Sequence, residues 1–171
     1  GSWMARKGVD LLAPILRQLG EGYVLHYTGG PAAEKDKAHI PPNMIDMGRL
    51  QGDDAVVAAM QNADALLFPS RSEGHPLVAV EAMACGLPII GMHGSSVAEA
   101  VTDGQTGLLC PQNDVAAFVT ATRSLAADKA RYASLAQAAR LQAVEHFSET
   151  TMIDAYLHLY QCATADAKGT L

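Results

Sequence analysis

Cysteine, aromatic side chains, positive charge and long apolar runs are all scarce in this chain. The three cysteines, Cys85, Cys110 and Cys162, lie far apart and form no C-x-x-C pair. That odd, scattered set excludes a disulfide framework and makes a reducing cytoplasm the expected setting. Phe, Trp and Tyr make up only 5% of the residues, so the core has to be built from Leu, Val, Ile and Ala. Lys and Arg number 12 against 18 Asp and Glu, a formal charge of −6. Such a balance argues against a nucleic-acid surface and against a cationic membrane-binding face. No apolar run reaches membrane-spanning length and no secretory leader is read, so no membrane segment is expected in this chain. There is no Asp-x-Asp pair, and His26, His75 and His93 lack ligand spacing, so no metal is predicted. Neither a G-x-S-x-G elbow nor a G-x-G-x-x-G fingerprint occurs, which removes two common enzyme readings.

What is present describes a globular domain. The 171 residues are 49% apolar and 18% charged, enough for a single core and too apolar for disorder. Leu11, Leu12, Ile15, Leu16 and Leu19 recur at helical spacing before Gly20. Short apolar strands are predicted over residues 23–28, 43–47, 65–68, 88–91 and 107–110. Helices are predicted over 53–62, 76–85 and 96–101, and again over 113–127, 130–146 and 150–163. Gly29-Gly30-Pro31 reads as a turn and 32–38 as a charged surface segment. Strands alternating with helices indicate an α/β domain, a three-layer, Rossmann-like, doubly wound parallel sheet with a helical C-terminus. Ligands of such sheets sit outside the strand C-termini, the position of the loop at residues 69–75.

The stretch from Asp64 to Gly107 carries the chemistry. An apolar strand leads to a polar loop holding Glu73 and Gly74, and a helix is expected to open at Pro76. Proline suits a first helical position because its missing N–H would have been unpaired there. The amides of Leu77 and Val78 are then expected to point out of the helix start, where Gly74 lets an anion approach the backbone. Either a diphosphate sits there, against free amides and the positive dipole end, or the junction is capped by Ser72 or water. Glu81 stands among Leu77, Val78, Ala79, Val80, Ala82, Met83 and Ala84, and burial is expected for it. A buried carboxylate needs partners, which ribose hydroxyls, loop amides or an arginine would each supply. Glu73 is read either as a contact to sugar hydroxyls and developing anomeric charge or as a solvated loop carboxylate. Lys7 is read either as a mobile phosphate ligand or as a solvated lysine.

Glu73-Gly-His-Pro-Leu-Val-Ala-Val-Glu81, followed by Ala-Met-Ala-Cys-Gly-Leu-Pro, resembles the Glu-x7-Glu element of retaining glycosyltransferases of the GT-B fold, in the large family four. Lys7-Gly8-Val9-Asp10, Thr28-Gly29-Gly30-Pro31, Pro42-Asn43-Met44-Ile45 with Gly48, Glu99 to Gly107 and His146-Phe147-Ser148 are similar to further landmarks in the same order. The resemblance implies the C-terminal, donor-binding half of a two-domain enzyme, with residues 1–171 as one nucleotide-sugar-binding domain. By that likeness Glu73 contacts the transferred sugar and Glu81 holds the ribose. Lys7 and the backbone from Gly74 through His75, Pro76 and Leu77 to Val78 hold the diphosphate, and the backbone at Arg49 and Leu50 receives the base. The donor would be a UDP-, GDP- or ADP-sugar, with no cofactor and no metal. The acceptor, a glycan or lipid, would be bound mainly by an N-terminal domain absent from this chain. Any membrane association would also fall to that domain.

Two departures from the family pattern stand out. Its arginine five positions before Lys7 is Ser2 here, and His75 replaces an aromatic or small residue. Other expectations remain beside the transferase: a GT-B-like epimerase or phosphorylase half-domain, and a noncatalytic nucleotide-binding module.

Overall fold

The computed structural model describes residues 4–29 and 40–168, with side chains to residue 164. Ser2, the Gly30-Pro31 half of the glycine turn and the charged segment 32–38 lie outside the described residues. A 3-10 turn at Ala5–Lys7 leads through Gly8 into α1 (Val9–Leu19). Leu11, Ile15, Leu16 and Leu19 are buried on one stripe of α1, and Gly20 ends it at φ 91°. Burying each such side chain is worth about 1.5–3 kcal/mol relative to exposure. Strands β1 (Leu25–Tyr27) and β2 (Met44–Asp46) follow, then α2 (Asp53–Gln61), β3 (Leu66–Phe68) and α3 (Leu77–Ala84). The chain continues as β4 (Ile89–Met92), α4 (Val97–Ala100), β5 (Gly107–Cys110), α5 (Val115–Ala127), α6 (Lys129–His146) and α7 (Glu149–Lys168).

All observed strand pairings are parallel. β1 pairs with β2, and β3, β4 and β5 form a three-stranded sheet in that order, with Leu66 opposite Ile89 and Ile89 opposite Gly107. Residue alternation along these strands builds two cores, one on each face. Leu67, Ile90, Met92, Leu108 and Cys110 meet α1 and α5 around Phe118. Leu66, Phe68, Ile89 and Leu109 meet α3, α4 and α6, where Ala79, Ala82, Ala139 and Ala143 keep the helices close. Helices on both faces of parallel strands make the doubly wound, Rossmann-like α/β fold, with a helical C-terminus. Asp114 and Asp128 each cap a helix start, accepting from Ala117 and Arg131 at 2.9 Å, so α5 and α6 begin where they do.

Two sequence expectations at α3 are corrected. Helix α3 begins at Leu77, with Pro76 just ahead of it as the cap residue at φ −84° and ψ 65°. Glu81 is exposed, not buried. The apolar run around it is apolar in sequence only: Ala79, Ala82 and Met83 turn to the sheet, which sends position 81 to the opposite side. Leu77 and Val78 share that outer face, 61% and 49% exposed.

Candidate functional site

The loop after β3 and the segment ahead of α1 are held against each other at the strand C-termini. Gly8 takes the left-handed conformation, φ +68°, and packs directly on Pro69; a Cβ there would lie 1.8 Å from the Pro69 carbonyl oxygen. The Arg71 amide donates to the Arg6 carbonyl at 2.8 Å, and the Ser70 hydroxyl reaches the same carbonyl at 3.3 Å. These contacts place Lys7 beside Glu73, 66 positions away in sequence. The Lys7 ammonium donates to Glu73 Oε1, and the Ser70 hydroxyl donates to the same oxygen at 2.6 Å. Arg6 adds a second positive charge 3.8 Å from Oε2.

The Glu73 side chain is only 9% exposed, so it is not the solvated carboxylate that a loop position allows. Burial pushes its pKa up. The hydrogen bonds from Lys7 and Ser70, with the charges of Lys7 and Arg6, outweigh that and hold it below the ordinary value. Glu73 is therefore an ionised acceptor at neutral pH. Lys7 carries three donors, so one bond to Glu73 leaves others for a second acceptor.

The start of α3 offers backbone donors. The Leu77 amide, expected to be free, instead donates to the His75 carbonyl at 3.0 Å. The Pro76 carbonyl takes the first helical bonds, from Ala79 and Val80. The amides of Gly74, His75 and Val78 donate to no protein acceptor among the described residues. No side chain caps the helix, so Ser72 does not fill that role. Nothing lies within 4 Å of where a Gly74 Cβ would stand. An anion approaching Gly74 would meet open space, free N–H groups and the positive end of the helix dipole.

The remaining expected residues are not tied to this pair by any hydrogen bond or ion pair among the described residues. His75 is exposed, its ring 6.4 Å from that of Phe147 and tilted by 53°. The Glu81 side chain makes no hydrogen bond or ion pair among the described residues and shares its face with Leu77 and Val78. Arg49 is exposed and Leu50 half-buried in the loop after β2. The structure thus joins Lys7 to Glu73, and sets Gly74 through Val78 next to them. Among the described residues no group of three or more His, Cys, Asp and Glu side chains is placed to hold a metal ion.

Sequence reasoning missed Arg71. Its guanidinium grips both Asp10 carboxylate oxygens at 2.7 Å, donates to the Ala5 carbonyl, and reaches Asn113 Oδ1 at 2.7 Å through Nε. The bond to Arg71 is the chief reason the Asp10 carboxyl sits below its ordinary pKa. The only local signal was the charge pattern, Lys7 and Asp10 on one segment against Arg71 and Glu73 on the other.

Comparison with known proteins adds a second line of observation. The family described as "Glycosyl transferases group 1" matches residues 1–128. The chain is 37% identical over 108 residues to the glycogen synthase of Mycobacterium tuberculosis, spanning 63% of this chain and 26% of that protein. It is also 37% identical over 116 residues to the D-inositol 3-phosphate glycosyltransferase of Rhodococcus jostii, spanning 68% of this chain and 25% of the relative. The chain therefore spans about a quarter of the length of these curated relatives. A crystal structure of Anabaena HepE in complex with UDP and glucose superposes at a TM-score of 0.82. That match covers 95% of this chain and 47% of the other at 18% identity, a likeness of fold.

Proposed function

The chain belongs to the group 1 glycosyl transferases, and from that premise we propose that it is the donor-binding domain of a retaining glycosyltransferase. The donor is a nucleoside-diphosphate sugar, and the acceptor, a glycan or lipid, is bound mainly by a further domain. The observation that carries this reading is the Lys7–Glu73 pair standing beside Gly74 and the unpaired amides at the start of α3. HepE, of the same fold, is described in complex with UDP and glucose, which supports a nucleotide sugar as the ligand class.

The diphosphate lies along Gly74, His75 and Val78 and takes the spare donors of Lys7. Negative charge growing on the departing diphosphate meets fixed N–H groups and an ammonium already in place, so little reorganisation opposes the reaction. Glu73, kept ionised by its neighbours, accepts from the sugar hydroxyls and faces positive charge developing at the anomeric carbon. Glu81, free on the outer face of α3, accepts from the two ribose hydroxyls, and Leu77 and Val78 cover the apolar side of the ribose. The backbone at Arg49 and Leu50 receives the base. This donor site works without a metal, because Lys7, the amides and the helix dipole supply the positive potential.

Calorimetric titration of the chain with UDP, GDP and ADP tests the reading. One of the three is expected to bind, and Glu81→Ala is expected to remove that binding while the protein stays folded. The 171-residue chain alone is expected to bind nucleotide without transferring sugar. Failure of all three nucleotides, or binding that survives Glu81→Ala unchanged, would overturn the proposal.

A further inference from the structure

The geometry points to Arg71 as a positioning residue, a clamp that keeps the Lys7 segment and the Glu73 loop in register. The inference rests on the donor-site reading for its purpose but on separate contacts for its geometry. Two ion pairs cross the same junction side by side. Lys7 meets Glu73, and Asp10 meets Arg71, with both Asp10 oxygens held at 2.7 Å. Their polarities are opposite: the stretch from Lys7 into the first turn of α1 carries cation then anion, while the loop after β3 carries cation then anion in the reverse spatial order. Sliding one segment past the other in one direction would bring Lys7 toward Arg71, and in the opposite direction Asp10 toward Glu73. Like charges would then face each other, so the wrong register is penalised as well as the right one favoured.

The clamp extends beyond a single pair. Arg71 also donates to the Ala5 carbonyl and to Asn113 Oδ1, and its own amide holds the Arg6 carbonyl. Asn113 is the only described residue other than glycine with a positive φ, 60°, a left-handed turn conformation that asparagine adopts more readily than most residues. One planar guanidinium therefore joins three chain segments, which a lysine ammonium cannot reproduce. An exposed ion pair adds little global stability, and Asp10 is half exposed. What the contacts control is position. When a diphosphate draws on Lys7, the Glu73 pair weakens at the moment Glu73 has to stay aimed at the sugar. The Arg71–Asp10 pair touches neither and holds the frame.

The experiment is a titration of the Glu73 carboxyl carbon by NMR in the whole 171-residue chain, free and then with UDP, GDP or ADP. In the parent protein Glu73, facing Lys7, Arg6 and Ser70, is expected to titrate below the ordinary carboxylate value. Arg71→Ala is expected to return it toward that value and to weaken nucleotide binding by roughly tenfold, equivalent to about 1.4 kcal/mol. Arg71→Lys is expected to fall between, and Val119→Ala, a core change remote from the site, to leave the Glu73 titration alone. If Arg71→Ala does not fold, Asp10→Asn takes its place with the same expectation. Unchanged Glu73 titration in these clamp variants would overturn the inference, leaving Arg71 a structural residue. If no nucleotide binds the parent protein while Arg71→Ala still shifts Glu73, the clamp stands and the donor-site reading falls.

Discussion

Glu73 and Glu81 belong to one short motif, yet the structure treats them in opposite ways. Glu73 sits in a loop, where exposure is the common fate, and is 9% exposed with Lys7, Ser70 and Arg6 around it. Glu81 sits in an apolar stretch of helix and is exposed, its carboxylate without a partner among the described residues. The difference teaches that the loop half of the site is organised by the protein before any ligand arrives. The helix half presents an exposed carboxylate that no side chain among the described residues engages. Under the proposed donor-site reading, preorganisation on one side and availability on the other would let charge be stabilised without rearrangement.

Several substitutions would break or sharpen this contrast. The largest effect is expected for Gly8→Ala. Its Cβ would meet the Pro69 carbonyl oxygen at 1.8 Å, on a backbone at φ +68°. Separating the two segments is expected to cost about 3 kcal/mol or more, read as a lower unfolding midpoint together with loss of the Glu73–Lys7 pair. Lys7→Met comes next. It leaves Glu73 shielded with only Ser70 and a distant Arg6, so a loss of roughly 1–3 kcal/mol at neutral pH is expected from denaturant unfolding.

The pH dependence of that loss is a third check. The folded pKa of Glu73 is lowered, so its contribution is fully present above the unfolded value and disappears as pH falls through the folded one. The stability gap between the parent protein and Lys7→Met is therefore expected to be widest near neutrality and to narrow steadily below about pH 4. A gap that persisted in acid would mean Lys7 acts through packing and not through the charge of Glu73. The smallest stability effect is expected for Glu81→Gln, within about 0.5 kcal/mol, because an exposed, unpaired side chain has nothing in the protein to lose. Nucleotide titration of the same variant is expected to show the weakened binding that unfolding does not.

Much of the fold was legible in the chain. The alternation of short apolar runs with helical stripes marked nearly every described element, and β5 matches its expected span at Gly107–Cys110. The strands at 23–28 and 43–47 came out shorter, as β1 and β2, because regular pairing covers only three residues of each. At Glu81 the reading failed for a specific reason: an average over neighbours in sequence ignores helical phase, and α3 buries one side only. At the loop it failed differently. Nothing near Arg71 says that its partners are Asp10, Ala5 and Asn113, because those residues lie far along the chain and meet it only when the strands align.

Local periodicity and the ordered motifs were determined by the sequence itself, since the strand and helix repeats and the freedom of glycine are properties of a few adjacent residues. The parallel α/β class, the position of the loop at the strand ends and the membership in a glycosyltransferase family followed from them. Tertiary structure alone decided which carboxylate is enclosed, which amide is free, and which arginine ties the segments together. The enclosure of Glu73 and the Arg71–Asp10 tie depend on contacts across 61 to 66 positions of chain. Such contacts exist only once β3 and α1 have packed and their ends have been brought to the same edge.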